Sequence, residues 1–545
     1  NVITADGYRA MVMAIGKIHE YGYRRIGFTA NAEHDQRLDG EMLSAYLYAQ
    51  KRLALKPALP PLMTFLKLRT GEELSRQKNT LRDWLKQHRP DALITSDIEI
   101  PGMIRELGYD IPQDIAVAGA PVPDIPGVDA GLDHRAFSIG QTAAETLLKQ
   151  MNINERGEPR HPSRILIESR WQDGSSLPPM GDTHISESVS GRKHHGSPPN
   201  PVKRRVTLAE IADKAEVSKN SVSLALRGSP RISPKVREKI RRVAGELGYV
   251  PDPILQRLAA YRHNGASNEF RNVIAWLNHW DHPEDLRHFH EFDEYWRGAK
   301  QAARRLGYEL EEFIWPKVWP AKRAEQLLRE RGVLGLLIPP HKMQVEWGDF
   351  DWSQYSLMRF GMSVRRVDSN LVTADHQRAM VMAVKRLHGY GYRRIGLIYE
   401  AEHDYVMGGN LYGGFIWAHK LLKLEPPVRV LDINLQTRDP KNEAKALKDW
   451  MQKNQPDAVI VARPQFSLFL QKLGYRIPED VAVAVTSVDE ASVDAGMDQC
   501  SHVIGRIAAE MLIKQISVNE RGEPSDPCRI LVESRWRDGK SLPLR

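Results

Sequence analysis

Short runs of aliphatic residues alternate along the chain with segments in which apolar residues recur every three or four positions. The runs "RRIGLIY" (393–399) and "DAVIVA" (457–462) have the length and composition of buried strands. The segments "ALKDWMQKN" (446–454) and "RIAAEMLIKQI" (506–516) show the 3.6-residue apolar period of helices. Strands that alternate with helices predict a parallel, doubly wound sheet with βαβ crossovers. In such sheets ligands bind outside the carboxyl ends of the strands.

Two long stretches of the chain are copies of one another. Residues 1–175 return as 370–540, with roughly half of the positions identical. The segment "TADGYRAMVMAIGKIHEYGYRRIGF" (4–28), for example, returns as "TADHQRAMVMAVKRLHGYGYRRIGL" (373–397). A repeat of this length indicates a duplicated domain rather than a solenoid unit. The copies are unequal, because residues 270–369 precede the second copy and have no counterpart before the first.

The composition is that of an ordinary globular protein. Of 545 residues, 41% are hydrophobic and 27% are charged. No apolar run approaches the ~20 residues that a membrane span needs, and the first residues form no basic-then-apolar export signal. The two cysteines, Cys500 and Cys528, form no CxxC pair, which suits a reducing compartment. We therefore expect a cytoplasmic protein that does not interact with membranes.

Positive charge is concentrated in one short stretch. Residues 201–264 hold fourteen Lys or Arg and six Asp or Glu, so this stretch carries a net charge equal to the +8 of the whole chain. The segment before it, residues 181–204, is rich in Gly, Ser, Pro and charge, which is typical of a flexible linker. A basic block of this kind is either a solvated face or a surface that binds polyphosphates.

The basic stretch has the pattern of short helices joined by a tight turn. Thr207 is predicted to cap the first helix, and Glu210 completes a capping box. Ser218 is predicted to cap the second helix, and Pro234 to occupy the first position of a third. Two short helices braced by a third predict a helix-turn-helix unit, whose second helix enters the major groove with its N-terminal residues against base edges.

The start of the second helix carries the candidate DNA contacts. Lys219 and Asn220 can read base edges, and Ser221 and Ser223 can hold phosphates. A small helical bundle that docks another protein is the alternative interpretation. The convergence of basic charge and small polar residues on one helix start favours DNA.

The stretch 206–262 resembles the head of the lactose-repressor (LacI) family. The matching residues are Val206-Thr207, Ile211-Ala212, Val217-Ser218, Val222-Ser223, Leu226 and Gly248-Tyr249-Val250-Pro251-Asp252. Residues 254–262 fall where that family has its hinge helix. By this resemblance, Leu258 would wedge into the minor groove and bend the duplex. Asp252 replaces the usual Asn, and Leu224 stands where many members carry a polar base-reading side chain.

The candidate DNA-binding residues combine the pattern with the resemblance. They are Thr207, Ser218, Lys219, Asn220, Ser221, Ser223, Leu224, Arg227, Asp252, Gln256 and Leu258.

The resemblance to the LacI family continues across residues 270–545. It implies a two-lobed α/β domain of the periplasmic-binding-protein type, with an effector in the cleft between the lobes. The aligned cleft positions depart from the sugar-binding pattern, since the expected Arg falls on Leu411 and an expected Asp near Ser487. The candidate effector-binding residues are Phe292, Asp404, Asn410, Arg463 and Asp489. Surface or structural roles are the alternative for each of them.

The first copy is expected to be incomplete. It keeps the second lobe and two helices of the first lobe, without the strands that those helices should cover. A truncated tandem protein, a fusion of duplicated neighbouring genes and a degenerate accessory lobe all fit this pattern. The apolar face of "AMVMAIGKI" (10–18) would promote association unless something covers it.

The sequence therefore predicts an all-α helix-turn-helix head and an α/β effector domain, preceded by a partial duplicate of that domain. The predicted domains are 1–180 (partial effector domain), 181–204 (linker), 205–249 (head), 250–264 (hinge helix) and 270–545 (complete effector domain).

The predicted function is that of a homodimeric transcriptional repressor. It would bind a pseudo-palindromic DNA operator under the control of a small molecule, which the resemblance suggests to be a carbohydrate. The His and carboxylate clusters at 279–282 and 288–294 lack the HExxH order, and we expect no metal or other cofactor. No motif supports an enzyme. The alternative is a ligand-binding protein, or a fused gene product, without working DNA recognition.

Overall fold

The computed structural model divides into two compact units. Asn1–Thr183 and Arg271–Arg545 form the first unit, and His184–Phe270 form the second. The structure describes the whole chain except residues 65–70, 153–156, 158–161, 181–207, 227–231, 247–271, 342–344, 365, 427–429, 435–438, 489–492 and 525. The predicted linker (181–204) and hinge helix (250–264) therefore lie outside the described residues, and the predicted domain boundaries stay predictions.

The first copy of the repeat is built from short strands and helices in alternation. Its elements are β1 (Val2–Ala5), α1 (Gly7–Glu20), β2 (Ile26–Asn31), α2 (Ala32–Arg37), α3 (Glu41–Arg52), β3 (Leu62–Thr64), α4 (Gly71–His88), β4 (Ala92–Thr95), α5 (Ile100–Glu106), β5 (Ala116–Gly119), β6 (Gly131–Asp133), α6 (Ala136–Asn152), β7 (Ser163–Ile167) and β8 (Arg170–Gln172).

The described part of the second unit is helical. Its elements are α7 (Leu208–Ala215), α8 (Lys219–Leu226) and α9 (Pro234–Glu246).

The second copy and the residues that precede it form a complete two-lobed domain. Its elements are β9 (Asn272–Asn278), α10 (Asp285–His288), α11 (His290–Arg305), β10 (Tyr308–Ile314), α12 (Ala321–Glu330), β11 (Val333–Ile338), β12 (Ser356–Phe360), β13 (Asn370–Ala374), α13 (His376–Gly389), β14 (Ile395–Tyr399), α14 (Ala401–Val406), α15 (Asn410–Leu421), β15 (Leu431–Asp432), α16 (Pro440–Asn454), β16 (Ala458–Val461), α17 (Gln465–Lys472), β17 (Ala482–Val485), β18 (Gly496–Asp498), α18 (Ser501–Ser517), β19 (Cys528–Val532) and β20 (Arg535–Arg537).

Three largely parallel sheets organise the first unit. The first lobe of the complete domain is built on an eight-stranded sheet of order β1-β7-β19-β13-β12-β11-β9-β10, in which β1 and β7 come from the first copy. The second lobe is a six-stranded sheet of order β15-β14-β16-β17-β18-β20, and the first copy repeats it as β3-β2-β4-β5-β6-β8. The central strands, such as β14 and β16, are buried at every position, as expected for parallel strands covered by helices on both faces. The predicted doubly wound α/β fold is confirmed.

The first copy has no first lobe of its own in the described residues. Its β1 and β7 instead extend the first-lobe sheet of the second copy, because β7 pairs with β19. The second copy also covers the apolar face of α1. Met11, Ile15 and Ile18 are fully buried in a core that both copies share. The association hazard predicted for residues 10–18 is therefore removed within the chain.

The two copies meet about a local two-fold axis. β7 and β19 pair antiparallel, and Ile165 lies opposite Ile530, its own equivalent in the repeat. The side chains that cross the interface obey the same symmetry. Trp417 of the second copy lies over Gly40, while Tyr48, the equivalent of Trp417, lies over Gly409. Both glycines have a positive φ, and a Cβ at either position would collide with the ring.

Buried ion pairs join the two copies at the points where each copy passes from one lobe to the other. Arg164 donates to Asp375 at 3.0 Å and to Glu41. The equivalent Arg529 donates to Asp6. All of these side chains are at most 7% exposed. Since Asp6 and Asp375 also cap the N-termini of α1 and α13, each copy holds the start of the other copy's interlobe helix.

Candidate nucleic-acid interface and ligand cavity

The second unit is held together by one small apolar core. Ile211 and Ala212 of α7, Val222 and Ala225 of α8, and Ile240 of α9 form its centre. These residues recur at helical spacing, so each helix buries one stripe and leaves the opposite side to solvent. The predicted arrangement of two short helices braced by a third is confirmed.

A tight turn sets the angle between α7 and α8. Glu216 adopts a left-handed conformation with φ of 54°. The Val217 N–H then donates to the Ala212 carbonyl at 3.0 Å, and the Val217 side chain packs against the core. The Ser218 hydroxyl follows and accepts the N–H of Ser221 at 3.1 Å. Ser218 therefore caps α8, as the sequence predicts, and the start of α8 faces outward.

The start of α8 carries several of the residues that were predicted to touch DNA. Ser218 and Lys219 are exposed, whereas Ser221 and Leu224 are half-buried. Asn220 and Ser223 lie within α8. The positive end of the helix dipole and the Lys219 ammonium thus coincide at one exposed point, which suits an anionic backbone. Thr207, Arg227, Asp252, Gln256 and Leu258 lie outside the described residues.

A cavity of about 520 Å³ lies at the carboxyl ends of β9, β10 and β11. Aromatic side chains dominate its walls, and a few charged groups stand at its rim. The lining residues are His279, Trp280, Asp281, His282, Asp285, Trp315, Lys317, Trp319, Pro320, Ala321, His341, Val345, Glu346, Trp347 and Gly348. We refer to this feature as the aromatic cavity. A concave site with few polar groups at this edge of an α/β sheet is where small ligands bind.

Two neutral histidines form part of the aromatic cavity. His279 stacks on Trp347 with ring centres 5.5 Å apart, and its Nδ1 lies 2.5 Å from the Trp315 carbonyl. The Nδ1 of His341 lies 2.8 Å from the Pro339 carbonyl. Burial lowers the pKa of His341 to about 4 and also lowers the pKa of His279. Both rings are therefore uncharged at neutral pH, with a carbonyl fixing the protonated Nδ1 tautomer.

Two buried polar atoms of the aromatic cavity have no hydrogen-bond partner among the described residues. They are the Nε2 of His341 and the Nε1 of Trp347. These two residues are only 3% and 4% exposed. A donor and an acceptor left unpaired in this way cost free energy unless a bound group satisfies them. At the rim, Lys317 pairs with Asp281 at 2.5 Å and lowers the pKa of that carboxyl group.

The structure places Phe292 on α11 of the first lobe and Asp404 on α14 of the second lobe. Phe292 packs against Trp280, with ring centres 6.4 Å apart, behind the wall of the aromatic cavity. Asp404 is 1% exposed and accepts the N–H groups of Leu411 and Tyr412, and burial raises its pKa to about 6.

The remaining predicted effector residues are engaged locally or not described. Asn410 donates to the Met407 carbonyl. Arg463 donates to Glu400 at 2.7 Å, where β14 and β16 end. Asp489 lies outside the described residues. The effector role of these residues stays a prediction.

Sequence reasoning missed the tryptophans that build the aromatic cavity. Trp315 and Trp319 follow the end of β10, and Trp347 follows β11. The signal was present, because three tryptophans occur between residues 315 and 347. Sequence alone does not show that the three loops converge.

Two family models match the chain. The model described as bacterial regulatory proteins, lacI family, matches residues 207–252. The model described as a periplasmic binding protein-like domain matches residues 15–177 and 384–542. Together the latter two matches cover more than half of the chain, one in each copy of the repeat.

Named relatives match about three-fifths of the chain at low identity. The HTH-type transcriptional regulator CelR of Thermobifida fusca is 25% identical over 351 residues, which is 61% of this chain and 97% of the relative. The ribose operon repressor of Haemophilus influenzae is 22% identical over 60% of this chain and 98% of its own length. Among solved structures, a CelR–cellobiose complex is 23% identical, with a TM-score of 0.39, over 62% of this chain and all of its own.

In the part of the chain that the structure describes, every helix is too short or too polar to cross a membrane.

Proposed function

Because this chain belongs to the lacI family of bacterial regulatory proteins and is a DNA-binding transcriptional regulator, we propose that α8 reads its operator and that a saccharide in the aromatic cavity controls the binding. The exposed start of α8 supports the proposal that this helix reads the operator. The unpaired Nε2 of His341 and Nε1 of Trp347, which lie between aromatic walls, support the proposal that a saccharide binds in the aromatic cavity.

The head binds DNA in the manner of helix-turn-helix proteins. The apolar core fixes α8 relative to α7 and α9, so that Ser218 and Lys219 stand out from the surface. In this position Lys219 and Asn220 contact base edges while Ser221 and Ser223 contact phosphates. Thr207, Leu224, Arg227, Asp252, Gln256 and the Leu258 wedge complete the proposed contacts. Repression follows if the bound operator overlaps a promoter.

The head is tested by selecting tight binders from random-sequence DNA at about 0.15 M salt. We expect a two-fold-symmetric site to be enriched. Replacing Lys219 and Asn220 by alanine should lower affinity for that site at least tenfold, since each good base contact contributes about 1–3 kcal/mol. Binding is measured by fluorescence anisotropy.

The matched control is Arg242→Ala, which removes one positive charge from α9. Arg242 is exposed and pairs with Glu246, so its loss should weaken all DNA sequences alike. Weak binding without an enriched site would contradict the proposal and favour a ligand-binding protein whose head is inactive.

The chemistry of the aromatic cavity fits a neutral sugar ring. Indole faces pack against the apolar C–H face of a pyranose, while ring hydroxyls can both donate to His341 Nε2 and accept from Trp347 Nε1. Since both histidines are neutral, the inner wall offers no charge to an anionic ligand. The volume of about 520 Å³ suits a mono- or disaccharide. Binding alters DNA affinity only if the two forms of the protein bind the sugar unequally.

Trp347→Ala should weaken saccharide binding. Calorimetry with glucose, ribose and cellobiose is expected to find one ligand for the wild type. For that ligand the variant should lose at least tenfold in affinity, about 1.4 kcal/mol, because a stacking wall and a hydrogen-bond donor disappear together.

Trp352→Ala is the matched control, since Trp352 contacts Trp347 but does not line the aromatic cavity. Affinity should also stay constant between pH 7 and 8, because burial lowers the pKa of His341 to about 4 and lowers the pKa of His279 below its usual value. Equal loss in both tryptophan variants, or binding unchanged in Trp347→Ala, would place the effector elsewhere.

A further inference from the structure

The hydrogen bonds of the aromatic cavity leave a donor and an acceptor to a ligand. The indole N–H groups of Trp280 and Trp315 are both donated to backbone carbonyls. The Nε1 of Trp347 and the Nε2 of His341 have no partner among the described residues. Burial lowers the pKa of His341 to about 4, so its ring is neutral and Nε2 is an acceptor. A ligand must therefore bring both an acceptor and a donor, as sugar hydroxyls do.

Aromatic rings stand around this donor and acceptor. The ring of Trp347 lies 5.9 Å from that of Trp315, centre to centre. The rings of His279 and His341 each lie 5.5 Å from Trp347. The face of an indole carries the negative end of the ring quadrupole, so a cation within about 6 Å of it is attracted. Several indoles around one cavity therefore favour a ligand that carries an ammonium group.

The charged residues at the mouth of the aromatic cavity are mostly acidic. Asp281, Asp285 and Glu346 are carboxylates, whereas Lys317 is the only lysine or arginine among the described residues that line it. Lys317 pairs with Asp281 at 2.5 Å, and Arg366, from outside the lining, pairs with Glu346 at 2.7 Å. Two cations thus stand against three carboxylates. This balance repels an anionic ligand and attracts a cationic one.

A hydroxylated ligand with an ammonium group meets all of these conditions. A neutral sugar can pair with His341 and Trp347 but gains nothing from the acidic mouth. A sugar acid meets a mouth of its own sign. An alkylammonium ion without hydroxyls brings no acceptor for the Trp347 N–H, and a buried donor without a partner costs free energy.

We propose that the saccharide of the aromatic cavity is an amino sugar. Its protonated amine lies against the indole faces and the carboxylates of the mouth, while its hydroxyls pair with His341 Nε2 and Trp347 Nε1. The inference rests on the saccharide site proposed above and adds a charged substituent to the neutral ring. The amine then decides which sugar acts as the effector, because neutral and acidic sugars of the same size lose the attraction at the mouth.

Calorimetry of the full chain tests the amine. Glucosamine and galactosamine are each compared with the neutral parent sugar at about pH 6.5, where the amine is protonated. At least one amino sugar should bind about tenfold more tightly than its parent, because it adds cation–π and charge attraction. N-acetylglucosamine, whose nitrogen is uncharged, should lack this gain. Salt at about 0.5 M should reduce it, since salt screens charges at an exposed mouth.

Two variants change the charge of the mouth in opposite directions. Asp285→Asn removes a carboxylate and should lower the ratio of amino-sugar to neutral-sugar affinity about threefold. Lys317→Gln removes the cation that pairs with Asp281 and should raise the same ratio about threefold. Asp349→Asn is the matched control and should leave the ratio unchanged, because the Asp349 side chain is 76% exposed and does not line the aromatic cavity.

Equal affinity for each amino sugar and its parent would overturn the inference and leave the saccharide site standing. An equal fall of the ratio in Asp285→Asn and Asp349→Asn would overturn it as well. Tight binding of tetramethylammonium without binding of any sugar would also contradict it, because that ion shares the charge but not the ring. If neither neutral nor amino sugars bind, the proposed saccharide control fails together with this inference.

Discussion

Gly505→Ala is expected to lower the free energy of unfolding of the effector domain by about 3 kcal/mol or more. The alanine Cβ would collide with the backbone carbonyl of Tyr295, which cannot move without displacing α11. Gly298 meets the backbone of His502 in the same crossing, so neither helix can back away alone. Urea unfolding followed by tryptophan fluorescence measures the effect, since Trp276 and Trp296 lie in the same core.

The repeat supplies the matched control for this prediction. Gly140→Ala changes the equivalent position of α6, where nothing lies within 4 Å. There the substitution should raise the free energy of unfolding by up to about 1 kcal/mol, because alanine favours a helix over glycine. Opposite signs at two equivalent positions would follow from packing alone. The same sign at both would contradict the difference between α6 and α18.

Arg164→Ala is expected to cost about 3–5 kcal/mol of unfolding free energy, because it leaves two buried carboxylates uncompensated. Arg164 is 6% exposed and bonds to both Asp375 and Glu41. Burial already raises the pKa of Glu41 to about 7 despite this partner. Without Arg164 the pKa of Glu41 should rise further, so the loss should be larger at pH 8 than at pH 5.

Arg476→Ala is the control for loss of an ion-paired arginine. Arg476 donates to Asp480 at 2.7 Å, but its side chain is 71% exposed. Exposed pairs contribute little because water solvates both partners and salt screens them. A loss in Arg164→Ala as small as that in Arg476→Ala would mean that the two copies are not held together by the buried pairs.

The buried pairs also give the first copy a mechanical role. Asp375 caps α13 at the start of the second lobe, and Arg164 of the first copy holds it. Arg529 holds Asp6 at the equivalent place in the first copy. Buried ion pairs and a shared core therefore join the incomplete copy to the complete one.

Local patterns predicted the elements of the fold and the reading head. The Ser218 cap, the tight turn between the short helices and Pro234 at the first position of the third helix depend on neighbours within a few residues. Alternating strands and helices predicted the parallel sheets for the same reason, since the periods of 2 and 3.6 are properties of the local backbone.

The sequence predicted that ligands bind outside the carboxyl ends of the strands, and the aromatic cavity lies at such an edge. Asp404 and Asn410, the residues chosen from the sequence, make local backbone contacts, and their effector role stays a prediction. The aromatic cavity instead depends on three loops that are up to about seventy residues apart and converge because their strands are neighbours. Side-chain convergence of this kind follows from strand order, which a linear pattern does not encode.

The sequence by itself determined the duplication, the helix-turn-helix head and the α/β class. The duplication is a direct repeat of residues, and the other two depend on the spacing of apolar and capping residues over a few positions. The tertiary structure decided what the incomplete copy does. The same α1 face that would be an association hazard alone is buried once β7 meets β19. The equivalent helices α18 and α6 carry apolar side chains at the same positions, and these are buried in α18 and exposed in α6. Burial depends on which surfaces meet, and that is fixed only when the whole chain has packed.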